Sequence, residues 1–212
     1  MIELYTHATP NGHKVSILLE ELGLPYRLHL VDIQKNEQMR AEFLAINPNN
    51  KIPAIVDTDG PGGTPLTLWE SGAILIYLAE KTASALLPAS GVRRYHVLQW
   101  LMFQMAGVGP MFGQAGHFTI YAHEKVPYGI ERYSNEARRL LGVMDKALSA
   151  QRYIAGDDYS IADIAIYPWT VSALRIPTIG NFDPWPAVAA WREKIASRPA
   201  VQRGLNNPRR EN

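Results

Sequence analysis

The 212-residue chain contains no cysteine. A disulfide framework, a zinc–thiolate site and a cysteine nucleophile are therefore excluded, and any thiol chemistry must use a sulfur carried by a ligand. An excess of one charge is also lacking. Lys and Arg number 21 and Asp and Glu 20, a net charge of +1 that argues against a surface built for nucleic acid. The longest apolar run, Ala73 to Ala79, has seven residues, against the ~20 that a membrane span requires. Met1 to Tyr5 shows no basic stretch leading into an apolar one, so no secretory leader is read there and a soluble cytoplasmic protein is expected. His7, His13, His29, His96, His117 and His123 have no His-x-x-x-His or similar spacing, so no metal is expected. No Gly-rich phosphate loop is present.

What is there suffices for a core. Hydrophobic residues make up 47% and charged ones 19%, a balance for one large domain or two compact ones. Strand-like and helix-like runs alternate through the first part. Ile2 to Tyr5 and Tyr26 to Ile33 read as strands. Val15, Leu18, Leu19 and Leu22 between them form one helical stripe, ended by Gly23 and Pro25. A strand, a helix and a strand in so short a span predict a βαβ unit with parallel strands. Gln38 to Ala45 reads as a short helix, Ala54 to Asp57 and Leu66 to Leu68 as a hairpin across the loop Thr58 to Pro65, and Glu70 to Lys81 as a helix. The order β-α-β-α-β-β-α is that of a thioredoxin-like domain.

Beyond about Val92 only helical patterns remain, so the fold class is α/β plus all-α. Val97, Leu98, Leu101, Met102 and Met105 form one stripe, interrupted by Gly107, Gly109 and Pro110. Tyr133, Ala137, Leu140, Leu141, Met144 and Leu148 form another. Ser160 and Asp163 read as a capping box, and Pro186 opens a helix through Val188, Trp191 and Ile195 that Arg198-Pro199 closes. Phe103, Phe112, Phe118, Tyr121, Trp169 and Trp185 are expected mostly in the core, with a few lining an apolar substrate pocket between the domains. The expected boundaries are a thioredoxin-like domain at 1–81, a linker at 82–91, a helical domain at 92–205 and a frayed polar tail at 206–212.

Three places in the first domain carry suitable chemistry for a ligand. The first is Thr9-Pro10-Asn11-Gly12, where either Thr9 or Asn11 caps the opening helix. Both readings set backbone N–H groups and a positive helix end beside a hydroxyl and an amide, and such a site favours a thiolate. A free thiol of pKa ~8.5 is about 3% ionised at pH 7, and lowering it by two units takes ~2.7 kcal/mol. A helix end supplies ~0.3–1 kcal/mol when exposed and ~2 when partly buried, and a hydrogen bond to a charged group ~1.5–3. The two suffice together, although both residues are also ordinary helix caps. The second place is Asn47-Pro48-Asn49-Asn50-Lys51-Ile52-Pro53. If the Ile52–Pro53 bond is cis, the Ile52 backbone turns outward to pair with an extended peptide, and Lys51 and the asparagines supply donors for a carboxylate; the alternative is a plain turn before a strand. The third is Trp69-Glu70-Ser71-Gly72-Ala73, where open N–H groups and Ser71 suit a carboxylate and Glu70 an ammonium, or where a helix is merely capped beside a solvated Glu. A zwitterionic head, an extended peptide middle and a thiolate together describe glutathione.

At these residues the chain resembles the glutathione transferase superfamily, in "ESGAILIYLAEK" from Glu70 to Lys81 and in Ser160 with Asp163. "TPNGHK" (Thr9 to Lys14), "NPNNKIPAI" (Asn47 to Ile55) and "GPMFGQ" (Gly109 to Gln114) look more specifically like the bacterial Nu class, which is related to the fungal nitrogen-catabolite regulator. The resemblance implies a homodimer, glutathione as co-substrate without a metal, and a cis Pro53. It implies Glu70 and Ser71 on the γ-glutamyl group, the Ile52 backbone on the cysteinyl group, and Gln38 and Lys51 toward the glycyl end. Thr9 and Asn11 are implied beside the sulfur, and Arg132, in "PYGIERY" from Pro127 to Tyr133, on a glutathione carboxylate. Tyr5 ranks below Thr9 and Asn11 because it sits inside its strand. The implied activity is glutathione-dependent disulfide reduction with transferase and peroxidase side activity. The alternatives are a conventional transferase for small apolar electrophiles and a non-enzymatic regulatory or interaction module.

Overall fold

Ile2, Leu4 and Thr6 are buried along β1 (Ile2–Thr6) while Glu3 and Tyr5 turn to the opposite side, the period-two signature of a strand with two covered faces. In the computed structural model, which describes residues 1–208, β1 lies inside a four-stranded sheet with β2 (Tyr26–Leu30), β3 (Ala54–Asp57) and β4 (Leu66–Trp69) in the order β2-β1-β3-β4. β1 and β2 are parallel and the β3–β4 hairpin is antiparallel, as the sequence pattern predicts. The second strand ends at Leu30, short of Ile33, because the Asp32 side chain accepts from the N–H groups of Gln34 and Lys35 and turns the backbone into a 3₁₀ turn.

One side of the sheet is covered by α1 (Pro10–Leu22) and α3 (Ser71–Lys81), which pack on each other. On the other side, Val31, Phe43 and Ala54 form a small core with Tyr5, Ile46, Ile52 and Trp69. The expected helix over Gln38–Ala45 is split. Glu37–Met39 is a 3₁₀ turn, Arg40 is extended, and α2 proper is Ala41–Leu44. Gly23 stops α1 in the left-handed conformation, φ 63°.

The described chain divides into two compact units, one of residues 1–84 with residues 198–208, the other of residues 85–197. Helix α8 ends ahead of Arg198-Pro199 as expected, but the segment beyond, expected within the helical domain through 205, belongs to the first unit. In the structure Pro199 opens α9 (Pro199–Leu205), which packs on α1 within the first unit. Pro199 sits at the first helical position, where its missing N–H costs nothing. The contact is close: a Cβ on Gly204 would collide with the Ile17 backbone, and the Gly204 carbonyl accepts a 2.8 Å bond from Ser16 Oγ. Arg198 and Arg203 pair with Glu21 and Glu20, both at 2.7 Å. The tail expected to fray is held at Asn207, which bonds Tyr26 Oη, and at the buried Pro208; its last four residues lie outside those described.

The second unit contains α4 (Val92–Phe103), α5 (Gly109–Gly116), α6 (Pro127–Leu148), α7 (Ile161–Ala173) and α8 (Pro186–Ala196). Gly107, Gly109 and Pro110 do not break the chain's helical course. A π-helical segment, Gln104–Val108, absorbs them and leads into α5, and a second one, His117–Tyr121, follows it. Met102, expected on the inner stripe, is 49% exposed because it lies on the outer side of α4. The stripe on α6 is buried as predicted from Ala137 to Leu148. Of the aromatics assigned to the core, Phe112 alone is fully buried, and Tyr121 is 66% exposed. The aromatic core is built instead by Trp191, Tyr167, Phe182, Tyr153 and Tyr159, which sit on or against α7 and α8 or in the loops flanking α7.

The expected capping box is present, and it is also the polar hub of this unit. Asp163 is fully buried and accepts from Ile154 N–H, Ser160 N–H, Ser160 Oγ and Trp191 Nε1 at 2.8–3.0 Å. Burial pushes its pKa up while those four donors pull it back. Asp163→Ala orphans all four donors and is expected to lower the unfolding free energy by about 3 kcal/mol or more, read as a shift in urea midpoint without a change in m-value.

Candidate functional site

Strand polarity decides where the site forms. β3 runs antiparallel to β1 and to β4, so Tyr5, Ala54 and Trp69 share one cross-strand row, with His29 of β2 beside Tyr5. The ends of β1 and β4 and the beginning of β3 therefore lie at the same end of the sheet. The three sequence segments read as ligand-binding follow or precede that row directly: residues 9–12 after β1, 47–53 before β3 and 69–73 after β4.

At the start of α1 the choice between two caps is resolved. Thr9 is extended, φ −126° and ψ 162°, and its Oγ1 accepts a 3.2 Å bond from Gly12 N–H, with Pro10 at the first helical position. Asn11 lies within the first turn, partly exposed. Thr9 and Asn11 thus flank the positive end of a 13-residue helix.

Before β3 the Ile52–Pro53 bond is cis, as the resemblance implies. The asparagines here have a different task from the one expected of them. Asn47 is buried, and its side chain is spent on the loop itself, donating to the Lys51 carbonyl at 2.6 Å and accepting from Asn49 N–H at 2.9 Å. Asn50, at φ 47°, donates to Met39 Sδ and so ties this loop to the turn that carries Gln38. Lys51 is exposed and Pro53 buried. The Gln38 Oε1 atom is buried and has no hydrogen-bond partner, a costly state for an amide oxygen.

After β4, Glu70 takes φ 71° and ψ 111°, a conformation that costs a non-glycine residue roughly 1–3 kcal/mol and marks functional turns. It precedes α3, whose first turn has no side-chain cap. Glu70 is exposed at the surface while Ser71 is buried beneath it.

Sequence reasoning missed Lys14. It is 1% exposed, on α1, and its Nζ donates to Ser71 Oγ at 3.2 Å, linking the first segment to the third. Burial pushes the ammonium down to about 7, opposed by the Glu70 carboxylate. The signal was a single charge within an otherwise uncharged stretch, Gly12 to Leu19, nearly all of which is buried between the sheet, α3 and α9.

Tyr5 faces away from these segments' helix ends. It stacks on His29, centroids 4.5 Å apart, and lines a cavity of about 410 Å³ with Val31, Phe43 and Ile46. In the second unit Arg132 is exposed on α6, its guanidinium 3.5 Å from Tyr128 Oη, in a groove of about 740 Å³ with Glu131, Tyr133 and Arg139. Among the described residues no group of three His, Asp or Glu side chains is arranged to hold a metal ion, and no helix is long and apolar enough to cross a membrane.

A thioredoxin-like sheet with these three loops, followed by a helical unit, defines a class of transferase folds, and comparison with known proteins identifies the family. The family model of the glutathione S-transferase N-terminal domain matches residues 8–81 and that of the C-terminal domain residues 110–199. Disulfide-bond oxidoreductase YfcG of Escherichia coli (strain K12) is 51% identical over 206 residues, 97% of this chain and 94% of that protein. Disulfide-bond oxidoreductase YghU of the same organism is 40% identical, over 96% of this chain and 73% of that one. A glutathione transferase family member from Pseudomonas fluorescens, solved with two glutathione bound, superimposes with a TM-score of 0.93 at 51% identity, covering 96% of this chain and 92% of its own. One from Pseudomonas putida, solved with one glutathione disulfide per subunit, gives 0.93 at 48% identity, covering 98% and 91%. The chain belongs to the glutathione S-transferase family.

The cap at Thr9 makes a direct prediction. Thr9→Ala is expected to cost about 1 kcal/mol of unfolding free energy in a denaturant titration, and Thr9→Ser to restore most of it.

Proposed function

We propose that this chain catalyses glutathione-dependent reduction of disulfides, with transfer of glutathione to electrophiles and glutathione-dependent reduction of peroxides as side activities. The observation that carries the reading is a cysteine-free chain whose capped helix end, cis-proline loop and uncapped helix start converge at one end of the sheet. Its similarity to the Escherichia coli disulfide-bond oxidoreductases supports the choice of disulfides over other acceptors.

The chemistry needs no protein sulfur. A glutathione thiolate attacks one sulfur of the substrate disulfide, forming a mixed disulfide and releasing one substrate thiolate. A second glutathione thiolate attacks the glutathione sulfur of that mixed disulfide and releases the other substrate thiolate, leaving glutathione disulfide. Two glutathiones are oxidised and one disulfide is reduced. The protein lowers the nucleophile's pKa and aligns the sulfurs. In this reading Thr9 and Asn11 stabilise the thiolate. Glu70 binds the γ-glutamyl ammonium and Ser71 its carboxylate. The Ile52 backbone, ahead of Pro53, pairs with the cysteinyl unit, and Lys51 and Gln38 bind the glycyl end, where the glycyl amide N–H is the donor that the Gln38 oxygen lacks. Arg132 binds a glutathione carboxylate from α6.

The finer assignment is to the Nu class, acting in the cytoplasm, where reduced glutathione is supplied, and acting as a homodimer. The exposed stripe Val92, Tyr95 and Met102 on α4, 71%, 70% and 49% accessible, supports a self-association face; light scattering of the purified protein tests it.

Rates with bis-hydroxyethyl disulfide and with chlorodinitrobenzene test the activity. The disulfide is expected to react faster, and a large preference for chlorodinitrobenzene would assign the protein to the conventional transferases. Binding of glutathione without turnover of any disulfide would make it a regulatory module. Asn11→Ala is expected to slow disulfide turnover ~10-fold or more, equivalent to ~1.4 kcal/mol of lost transition-state stabilisation; an unchanged rate would remove Asn11 from the mechanism.

A further inference from the structure

We propose that Lys14 is a positioning residue for the γ-glutamyl end of glutathione, a buried amine that becomes a cation as the ligand binds, orients the Ser71 hydroxyl as a donor toward the ligand's carboxylate and anchors the Glu70–Ser71 turn. The inference rests on the glutathione reading above and assigns the site a residue that makes no contact with the ligand.

Geometry carries it. A lysine is rarely buried outright, because desolvating an ammonium is costly unless its partners repay the cost. Lys14 is 1% exposed, and its Nζ lies 3.2 Å from Oγ of Ser71, itself 4% exposed. Once charged, as it is with ligand bound, the ammonium has only donors to offer, so Ser71 Oγ accepts from it and the hydroxyl proton is directed to the ligand. Ser71 opens α3, where no side chain caps the first turn and the helix end is positive. Two positive ends, Nζ and the start of α3, thus meet at one hydroxyl oxygen. The chemistry that complements them is a carboxylate on the ligand side, with the exposed Glu70 beside it to receive an ammonium. An α-amino acid head has both groups on one carbon.

The other charges near α1 are committed elsewhere. Arg198 and Arg203 pair with Glu21 and Glu20, Tyr77 and Lys81 on α3 bind Asp57, and His13 is directed to the Pro208 carbonyl. Glu70 is the carboxylate whose field acts on Lys14. Burial lowers the lysine's proton affinity, and a ligand carboxylate brought to Ser71 raises it again. Binding should therefore draw a proton onto Nζ near neutral pH.

The test is calorimetric titration with S-methylglutathione, which has no thiol to ionise, at pH 7.5 in two buffers of different ionisation enthalpy. The wild-type protein is expected to take up roughly half a proton or more per ligand bound. Lys14→Met is expected to lose that uptake and to bind about 10-fold more weakly or worse. In disulfide turnover its KM for glutathione should rise in step while kcat stays within about 2-fold, the signature of lost ground-state positioning. A folded Lys14→Met with wild-type affinity and wild-type proton uptake would overturn the inference. Should that variant fail to fold, the wild-type titration decides alone: tight binding without proton uptake overturns the role of Lys14 and leaves the glutathione reading standing. No binding of S-methylglutathione or glutathione to the wild type would overturn the glutathione reading itself.

Discussion

The pairing of β1, β3 and β4 is the constraint on which the rest of the first unit depends. Because β3 runs against both of its neighbours, the strand row Tyr5–Ala54–Trp69 brings two strand ends and one strand beginning to the same end of the sheet. Two helices start there and one extended loop passes between them. Slipping β3 by one residue would turn Ile55 away from α1 and α3 and Ala54 away from Phe43, so burial on both faces holds the register. The site is a consequence of that register, made from loops that the sheet leaves no other place to go.

The two helix starts are finished differently, and the difference matters for their chemistry. At α1 the Thr9 hydroxyl satisfies the Gly12 N–H and Pro10 needs no partner, so the end is structurally complete while its dipole remains. At α3 no side chain caps the first turn, and the buried amine of Lys14 sits behind Ser71 instead. The first arrangement suits a soft, diffuse anion such as a thiolate, which needs a modest field. The second suits a carboxylate, which needs directed donors. A chain with no cysteine depends on this electrostatic division, since it can hold a reactive sulfur but cannot supply one.

The helical unit has its own organising group. Asp163 gathers two backbone and two side-chain donors from the preceding loop, the start of α7 and α8, so that one carboxylate fixes three segments. The π-helical segments around α5 do the opposite, letting the chain carry Gly107, Gly109 and Pro110 through without a break.

Local pattern was enough for the strand and helix order, the parallel and hairpin pairings, the stop at Gly23, the capping box at Ser160 and Asp163, and the three loops with the chemistry for glutathione. Each of these depends on residues within a few positions of one another or on a period, and a period survives in the linear chain. The boundary of β2 failed where a side chain competed with the backbone, at Asp32, and that of α2 where the backbone turned extended at Arg40. What only the tertiary structure decided are the contacts that join distant segments. Thr9 took the cap that Asn11 could equally have taken, and Asn47 turned inward to hold its own loop. Helix α9 closed over α1, and Lys14, 57 residues from Ser71, was buried against it. Burial of a polar group is a property of what surrounds it in three dimensions, and hydrophobic spacing along a helix does not reveal whether a second helix arrives to cover the other side.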